Sequence, residues 1–377
     1  MAAQRMLRET ALPDGLPLLN VSQAAPVAAP PEGLRREMAD ALLGGAAAHL
    51  YGPVLGNGAL RDALAARTAA LYGGAVGAEN VAITAGCNMA FTSALQTLAA
   101  PGDRVLLPSP WYFNHAMWLR MTGVDAVPLP TGPDLLPDLD RAAALIDVRT
   151  RAVVLVTPNN PGGVEYPAAL IAAFRDLARD RGLALVIDET YRDFHAAEGA
   201  PHDLLADPDW GDTVIQLYSF SKAYRLTGHR TGAIVASPAR LAEVEKVLDT
   251  VQISAPQTGQ IGALYGLTHL GDWLAAERVE ILRRRQAAVA ALDALPGWTR
   301  MGTGAYFAYL RHPLGPDGVR RMLAEQAVLA LPGGMFRPPD DASGADEVRI
   351  AFANIDAGGI AELGRRLAAL EIGPARQ

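Results

Sequence analysis

The sequence predicts an α/β fold: a mostly parallel central sheet with helices on both faces, and a smaller α+β domain beside it. Three observations carry this expectation. Short, continuous apolar runs alternate with longer helical patterns, as expected for strands buried on both faces and joined by crossover helices. The chain has 377 residues, more than one hydrophobic core usually fills, so two domains are expected. Near residue 271 a long charged helix begins, and the pattern beyond it is less regular.

Taken in order, the segment to about Pro31 is rich in Pro and Ala and reads as an irregular arm. Residues 58–71 place Leu60, Leu64 and Leu71 at helical spacing. NVAIT (80–84), RVLLP (104–108), AVVLVT (152–157), LALVID (183–188), TVIQLYS (213–219) and GAIVAS (232–237) read as strands. Helical stretches such as NMAFTSALQTLA and YPAALIAAFRDLARDRG lie between them, and WLAAERVEILRRRQAAVAALDAL is the candidate link to the second domain.

Composition narrows the class. Half the residues are hydrophobic and 19% are charged, the profile of a globular protein. A net charge of -7 without a dense Lys/Arg tract argues against nucleic acid as a partner. Cys87 is the single cysteine, which excludes an internal disulfide and a CxxC metal site. The N-terminus lacks an apolar signal core and no run is long enough to span a bilayer, so no membrane partner and a cytoplasmic location are expected. The histidines show no ligand spacing, no metal is expected, and His115 and His195 read as structural or rim residues. The glycines at Gly74 and Gly77 do not follow a strand with dinucleotide-binding spacing.

In an open parallel sheet, ligands bind beyond the carboxyl ends of the strands. There the sequence places TAGCN (84–88), PSPWYFNH (108–115), TPNNPGG (157–163), DETY (188–191) and SFSK (219–222). Alone, each is ordinary: a Pro-Gly turn, a helix-capping Asp, core aromatics, a surface lysine. Together they bring an acid, an amide, a lysine, an arginine and several aromatics to one rim. A lysine acting as a covalent amine needs burial or a neighbouring cation to lose its proton. A cofactor ring with a basic nitrogen needs a carboxylate such as Asp188. A phosphate needs an arginine fork, hydroxyls and a helix N-terminus, which Arg230, Ser219 and the TAGCN turn supply. That set fits pyridoxal 5'-phosphate.

The order YGPVLGNGALR, TAGCNMAF, PSPWYFNH, TPNNPGG, DETY, SFSKAYRLTGHRTG, EVRIAFAN resembles the class I/II aminotransferases of the aspartate aminotransferase superfamily, from Tyr51 to Asn354. The Ser-x-Ser-Lys stretch followed by Gly-x-Arg-x-Gly is its most specific part. The resemblance implies the fold of type I pyridoxal-phosphate enzymes, working as a homodimer with shared active sites on an amino acid and a 2-oxo acid. It implies a large domain over 33–275 and a small one from 1–32 and 276–377. Residue by residue, Lys222 matches the Schiff-base lysine that also moves the proton, and Asp188 the partner of the ring nitrogen. Asn160 and Tyr191 match the pair on the cofactor's phenolic oxygen, and Tyr112 the ring stacked on its face. Gly86, Cys87 and Asn88 match the phosphate turn, completed by Ser219 and Arg230. Arg349 matches the clamp on the substrate carboxylate, with Asn160 beside it, and Tyr51 the tyrosine that reaches the neighbouring subunit's phosphate.

Some positions depart from the family pattern: Gly162 stands where Thr is common, His229 where a bulky apolar residue is common, and Arg337 where Gly is common. Dicarboxylate-specific members carry a further arginine just before the stretch matching QISAPQTGQ; DTVQ (249–252) holds none. A neutral, aliphatic or aromatic substrate side chain is therefore expected. A lyase catalysing β-elimination or C–S cleavage would share every cofactor residue, and formation of pyridoxamine phosphate from an amino acid alone would separate the two. A non-catalytic effector-binding domain fits less well, because Tyr51 comes too early for a preceding helix-turn-helix domain and the charge is acidic.

Overall fold

The computed structural model describes Ala2 to Ile372; Met1 and residues 373–377, at the outer ends of the expected small domain, lie outside the described residues. The chain opens with a helix, Ala2–Glu9, and a two-residue strand, β1 (Leu19–Asn20), where the sequence predicts only an irregular arm. The arm's prolines begin at Pro13, so residues 2–9 carry no residue that forbids a helix.

The core of the fold is a seven-stranded sheet in the order β2-β8-β7-β6-β5-β3-β4. Its strands are β2 (Val81–Thr84), β3 (Arg104–Ser109), β4 (Asp125–Pro130), β5 (Thr150–Val156), β6 (Ala184–Asp188), β7 (Val214–Ser219) and β8 (Gly232–Val235). Only β8 runs against its neighbours, pairing antiparallel with both β2 and β7. Every residue of β2, β6, β7 and β8 is buried, which is why they read as unbroken apolar runs. Apolar clusters cover both faces, one holding Phe174, Leu185, Ile187 and Tyr218, the other Phe91, Val154, Val186 and Leu217. Each such Leu, Ile or Phe gains roughly 1.5–3 kcal/mol from burial.

Strand β4 has no counterpart among the predicted strands. Its sequence, DAVPLP, holds Pro128 and Pro130, residues that cannot donate to a ladder. It lies at the sheet edge, pairing only with β3, where a missing N–H faces no second neighbour.

The sheet is flanked by capped helices. Asn57 Oδ1 accepts from Leu60 N (3.3 Å) to start Gly58–Tyr72, and Gly73 ends it in the left-handed region with φ 71°. The long helix Gly271–Asp293 buries Leu274, Ile281, Ala288 and Leu292 along one stripe. It leads to a second, four-stranded antiparallel sheet in the order β12-β13-β10-β9, built from β9 (Thr299–Gly304), β10 (Phe307–Arg311), β12 (Leu331–Pro332) and β13 (Glu347–Ile350). The short β11 (Val328–Leu329) pairs in parallel with β1, tying the two chain ends together. Among the described residues, no helix is long and apolar enough to cross a membrane.

This topology aligns the carboxyl ends of β2, β3, β5, β6 and β7 along one rim. Because β8 runs in the opposite sense, it enters at that rim, and residues just upstream of it join the site.

Candidate active site

At one end of the rim, β2 passes through Ala85 and Gly86 into the helix Cys87–Gln96. The first turn of a helix presents unpaired N–H groups and the positive end of its dipole. Arg230 faces this same turn. Gly86 has φ 87°, and a Cβ there would lie 2.2 Å from the Arg230 guanidinium, so only glycine fits. Gly232, at the start of β8, is equally constrained: its Cβ would lie 2.5 Å from the Cys87 backbone N. Arg230 donates to the Thr227 carbonyl (3.0 Å) and the Ser221 hydroxyl (3.4 Å). Ser219 Oγ in turn accepts from Ser221 N (3.3 Å). Gln252 braces the turn, its Oε1 accepting from Ala85 N (3.0 Å) and its amide donating to the Ile83 carbonyl (3.3 Å). An exposed guanidinium directed at a helix N-terminus sets two positive groups together, a geometry satisfied by an anion such as phosphate.

Deeper in the rim, Asp188 closes β6 and is buried. Its Oδ1 accepts from Thr190 N (3.0 Å), Thr190 Oγ1 (2.7 Å) and the Cys87 thiol (3.7 Å). His115 Nε2 lies 3.3 Å from Oδ2. Burial alone would raise the Asp188 pKa, but the bonds from His115 and Thr190 hold it below the ordinary carboxylate value. The same burial, with Asp188 beside it, pushes the Cys87 thiol up, which removes thiolate character. His115 stacks on Phe91, with ring centroids 3.8 Å apart, and meets Tyr112 edge-on at 4.9 Å. The Tyr112 hydroxyl accepts from Asn114 Nδ2 (2.7 Å) and donates to Asn88 Oδ1 (3.4 Å). Burial and the nearby Asp188 charge raise its pKa to about 12.

Lys222 lies within the influence of two cations, Arg349 and Arg230. It sits in the short helical turn Phe220–Ala223 after β7, its ammonium donates to the Ala24 carbonyl, and Nζ lies 6.0 Å from the Tyr191 ring centroid. Burial, reinforced by Arg349 and Arg230, lowers its pKa to about 8. Tyr191 is buried against Tyr306 and Phe307, and burial raises its pKa against the pull of Arg349.

Arg349, on β13, is 3% exposed. It donates to Asn160 Oδ1 (2.9 Å) and to the Ser22 carbonyl, while its Nε has no partner among the described residues. The rings of Phe307 and Phe336 lie 4.9 and 5.1 Å from its guanidinium carbon, and burial lowers its pKa to about 10.

Of the predicted site residues, Gly86, Cys87, Asn88, Tyr112, Asn160, Asp188, Tyr191, Ser219, Lys222, Arg230 and Arg349 thus converge on one rim. Tyr51 stands apart, 79% exposed. The structure adds His115, Thr190, Ser221 and Gln252. His115 is the structural residue of the two readings, 2% exposed against Asp188; no cluster that could hold a metal occurs among the described residues. Thr190 and Ser221 lie inside the DETY and SFSK motifs, two residues from groups they contact, and that spacing is their only sequence signal.

Two of the family departures, Gly162 and Arg337, have local causes. A Cβ at Gly162 would lie 2.7 Å from Leu135, which packs there instead. Arg337 pairs with the buried Glu347 (2.7 and 3.1 Å), which also accepts from Tyr309 (2.7 Å). Arg225 joins Glu277 (2.6 Å) to the Ala29 carbonyl (3.2 Å). Nothing in the structure explains His229.

The residues present fit a phosphorylated aromatic cofactor: an anion cradle at one end, an ionised buried carboxylate below, and a lysine of lowered pKa beside them. Comparison with known proteins agrees. The family "Aminotransferase class I and II" matches residues 17–367. An aromatic aminotransferase of Arabidopsis thaliana is 30% identical over 303 residues, 78% of this chain and 74% of the relative. The arginine–pyruvate transaminase of Pseudomonas aeruginosa is 30% identical over 327 residues, 84% of this chain and 81% of the relative. A solved Escherichia coli structure, described as identifying a methionine aminotransferase function, superimposes with a TM-score of 0.88 at 25% identity, covering 98% of this chain and 97% of that one. The chain belongs to the class I and II aminotransferases, and it is a pyridoxal-phosphate-dependent transaminase of amino acids.

Proposed function

We propose that Lys222 is the covalent and proton-carrying amine of this transaminase, and that its substrates are amino acids with neutral, aliphatic or aromatic side chains. The observation that carries the first part is the lysine's surroundings: Nζ lies 6.0 Å from the Tyr191 ring centroid, and burial beside the cations Arg349 and Arg230 lowers its pKa to about 8. Bound there, pyridoxal phosphate supplies an electron-withdrawing ring that weakens the substrate's Cα–H bond. Asp188, fixed in place by His115 and Thr190, would serve the ring nitrogen and keep a proton on it. Asn160 uses its carbonyl on Arg349, which leaves its Nδ2, with the Tyr191 hydroxyl, to serve the phenolic oxygen. Gly86, Cys87, Asn88, Ser219 and Arg230 would hold the phosphate, and Tyr112 would cover the ring. Arg349 would clamp the substrate carboxylate, and Lys222 Nζ would hold and move the Cα proton.

Side-chain preference rests on what surrounds Arg349. Phe113, Phe336, Leu135 and Met335 form one apolar cluster at that end, and Gln252, in the stretch where dicarboxylate-specific members carry arginine, is engaged with the phosphate turn. The relatives named for aromatic amino acids and methionine point the same way. Half-reactions with a panel of amino acids, followed by loss of cofactor absorbance, test this; faster reaction with aspartate than with methionine or phenylalanine would reject it.

We further propose a cytoplasmic homodimer, with a large domain over 33–275 and a small one from 1–32 and 276–377. Exposed Leu42, Leu43, Leu50, Tyr51, Val251 and Ile253 supply apolar surface for pairing. Gly52 N donates to Ser254 Oγ (3.3 Å), joining the two segments that carry them. Tyr51 would reach the partner's phosphate across that surface.

A further inference from the structure

Strand β2 is an edge of the large sheet and pairs only with β8. An edge strand leaves a row of backbone N–H and C=O groups without a ladder partner. Along β2 and the residue after it, that row is closed by other means. Arg61 Nε donates to the Val81 carbonyl (2.8 Å), and Ile83 N donates to the Leu55 carbonyl (2.9 Å). The Ile83 carbonyl and Ala85 N are both taken by one side chain. Gln252 Nε2 donates to the carbonyl (3.3 Å), and Gln252 Oε1 accepts from the N–H (3.0 Å).

Bonding the carbonyl of one residue and the N–H two residues further on is what a residue of a parallel neighbour strand does. The Gln252 carboxamide therefore stands where a further strand would lie, opposite Thr84. The place matters because β2 ends there. Directly beyond Ala85, Gly86 opens the helix Cys87–Gln96 against Arg230.

The backbone that aims Gln252 is unusual in its own right. Gln252 N and Ile253 N both donate to the Leu248 carbonyl (2.9 Å each), closing the helix Pro238–Val251. Ile253 then takes φ 60°, a left-handed conformation that is a rare choice for a β-branched residue. Such conformations persist where the surrounding structure holds them, commonly at functional sites.

We propose that Gln252 is a positioning residue for phosphate binding: by standing in for a parallel strand beside Thr84, its carboxamide fixes the register at which the first N–H groups of the helix Cys87–Gln96 meet the phosphate. This rests on the reading of that turn, with Arg230, as the phosphate cradle. Helix N–H groups hold an anion only at hydrogen-bonding distance and angle. A turn whose last strand residues have lost their outer partners no longer keeps that geometry.

The test measures, on the full chain, the dissociation constants of pyridoxal 5'-phosphate and of pyridoxal, which has the aldehyde but no phosphate. Gln252→Met keeps the side-chain length and loses both bonds. It should weaken the phosphorylated ligand by about tenfold, the size of one or two neutral hydrogen bonds, and pyridoxal by less than about twofold. Gln252→Glu keeps the acceptor for Ala85 N and, while ionised, lacks the donor to Ile83. Its deficit relative to wild type should shrink by about threefold or more as pH falls from about 8 to about 5, because a protonated carboxyl regains an O–H donor. Unchanged affinity or equal weakening of both ligands in Gln252→Met, or a Gln252→Glu deficit that does not vary with pH, overturns the proposal. If wild type binds the two ligands equally, the cradle reading fails instead. Amide exchange over 86–90 in the cofactor-free chain then judges Gln252 by itself: about fivefold faster in Gln252→Met supports it, and the wild-type rate overturns it.

Discussion

His115 Nε2 lies 3.3 Å from Asp188 Oδ2, and both side chains are buried. The imidazole is itself fixed by stacking on Phe91, so the carboxylate inherits a rigid partner. His115→Phe keeps the stack and removes the bond. A hydrogen bond to a charged group is worth about 1.5–3 kcal/mol, so cofactor affinity should fall by roughly tenfold or more. Asp188 has a depressed pKa, so its contribution to stability is present above the unfolded carboxylate value and fades as pH falls through the folded one. In the variant the folded value should rise toward the ordinary one, so less stability is lost over that range; equal acid-unfolding profiles for variant and wild type would reject the role.

Lys222 gives a second pH signature. With a folded pKa of about 8 against an ordinary 10.5, its neutral amine appears near pH 8, and covalent attachment of the cofactor should follow a titration there. Arg349→Leu removes one of the cations that lowers it, so the midpoint should move upward. Between about pH 8 and 10.5 the unfolded chain binds more protons at this residue, so stability of the cofactor-free chain should rise with pH across that window. Lys222→Met should flatten the rise. Borohydride reduction and peptide mapping should place the pyridoxyl label on Lys222; a label elsewhere ends the assignment.

Arg349→Lys keeps a charge and loses the planar fork that grips two oxygens at once. We expect a loss of about 2 kcal/mol or more in kcat/KM, with cofactor spectra unchanged. Steady-state kinetics on the best amino acid of the panel would show it, and an unaltered kcat/KM is the result that refutes it.

Tyr51 is tested by complementation. Lys222→Ala and Tyr51→Ala chains are each expected to be inactive or nearly so. Under subunit exchange, a heterodimer collects both defects in one site and leaves the other intact, so activity should reappear. If exchange is demonstrated and the mixture stays dead, Tyr51 acts within its own chain.

The features legible in the sequence share one property: each is local. The buried strands read as apolar runs, and SFSK, DETY and TPNNPGG carry their functional residues within a few positions of a strand end. What escaped was formed by distant or backbone contacts. His115 gains its meaning only when the fold brings it to Asp188. The main-chain carbonyls of Ser22, Gln23 and Ala24, which accept from Arg349, Asn354 and Lys222, leave no side-chain signature. Strand β4 was hidden by prolines that an edge position tolerates, and the first helix by the Pro-rich segment after it.

The reversal of β8 has a consequence for how the enzyme keeps its cofactor. Because the chain turns back at the rim, the proposed covalent anchor, Lys222, and the phosphate anchor, Arg230, belong to one short connection between β7 and β8. Two attachments on a single segment share one opening event. Fluctuations that lift this connection loosen both ends of the ligand at once, and a bound cofactor pins the connection closed. Cofactor escape and local unfolding of residues 219–232 should therefore proceed as a single kinetic process, and the heat resistance of this region should climb with the concentration of free cofactor.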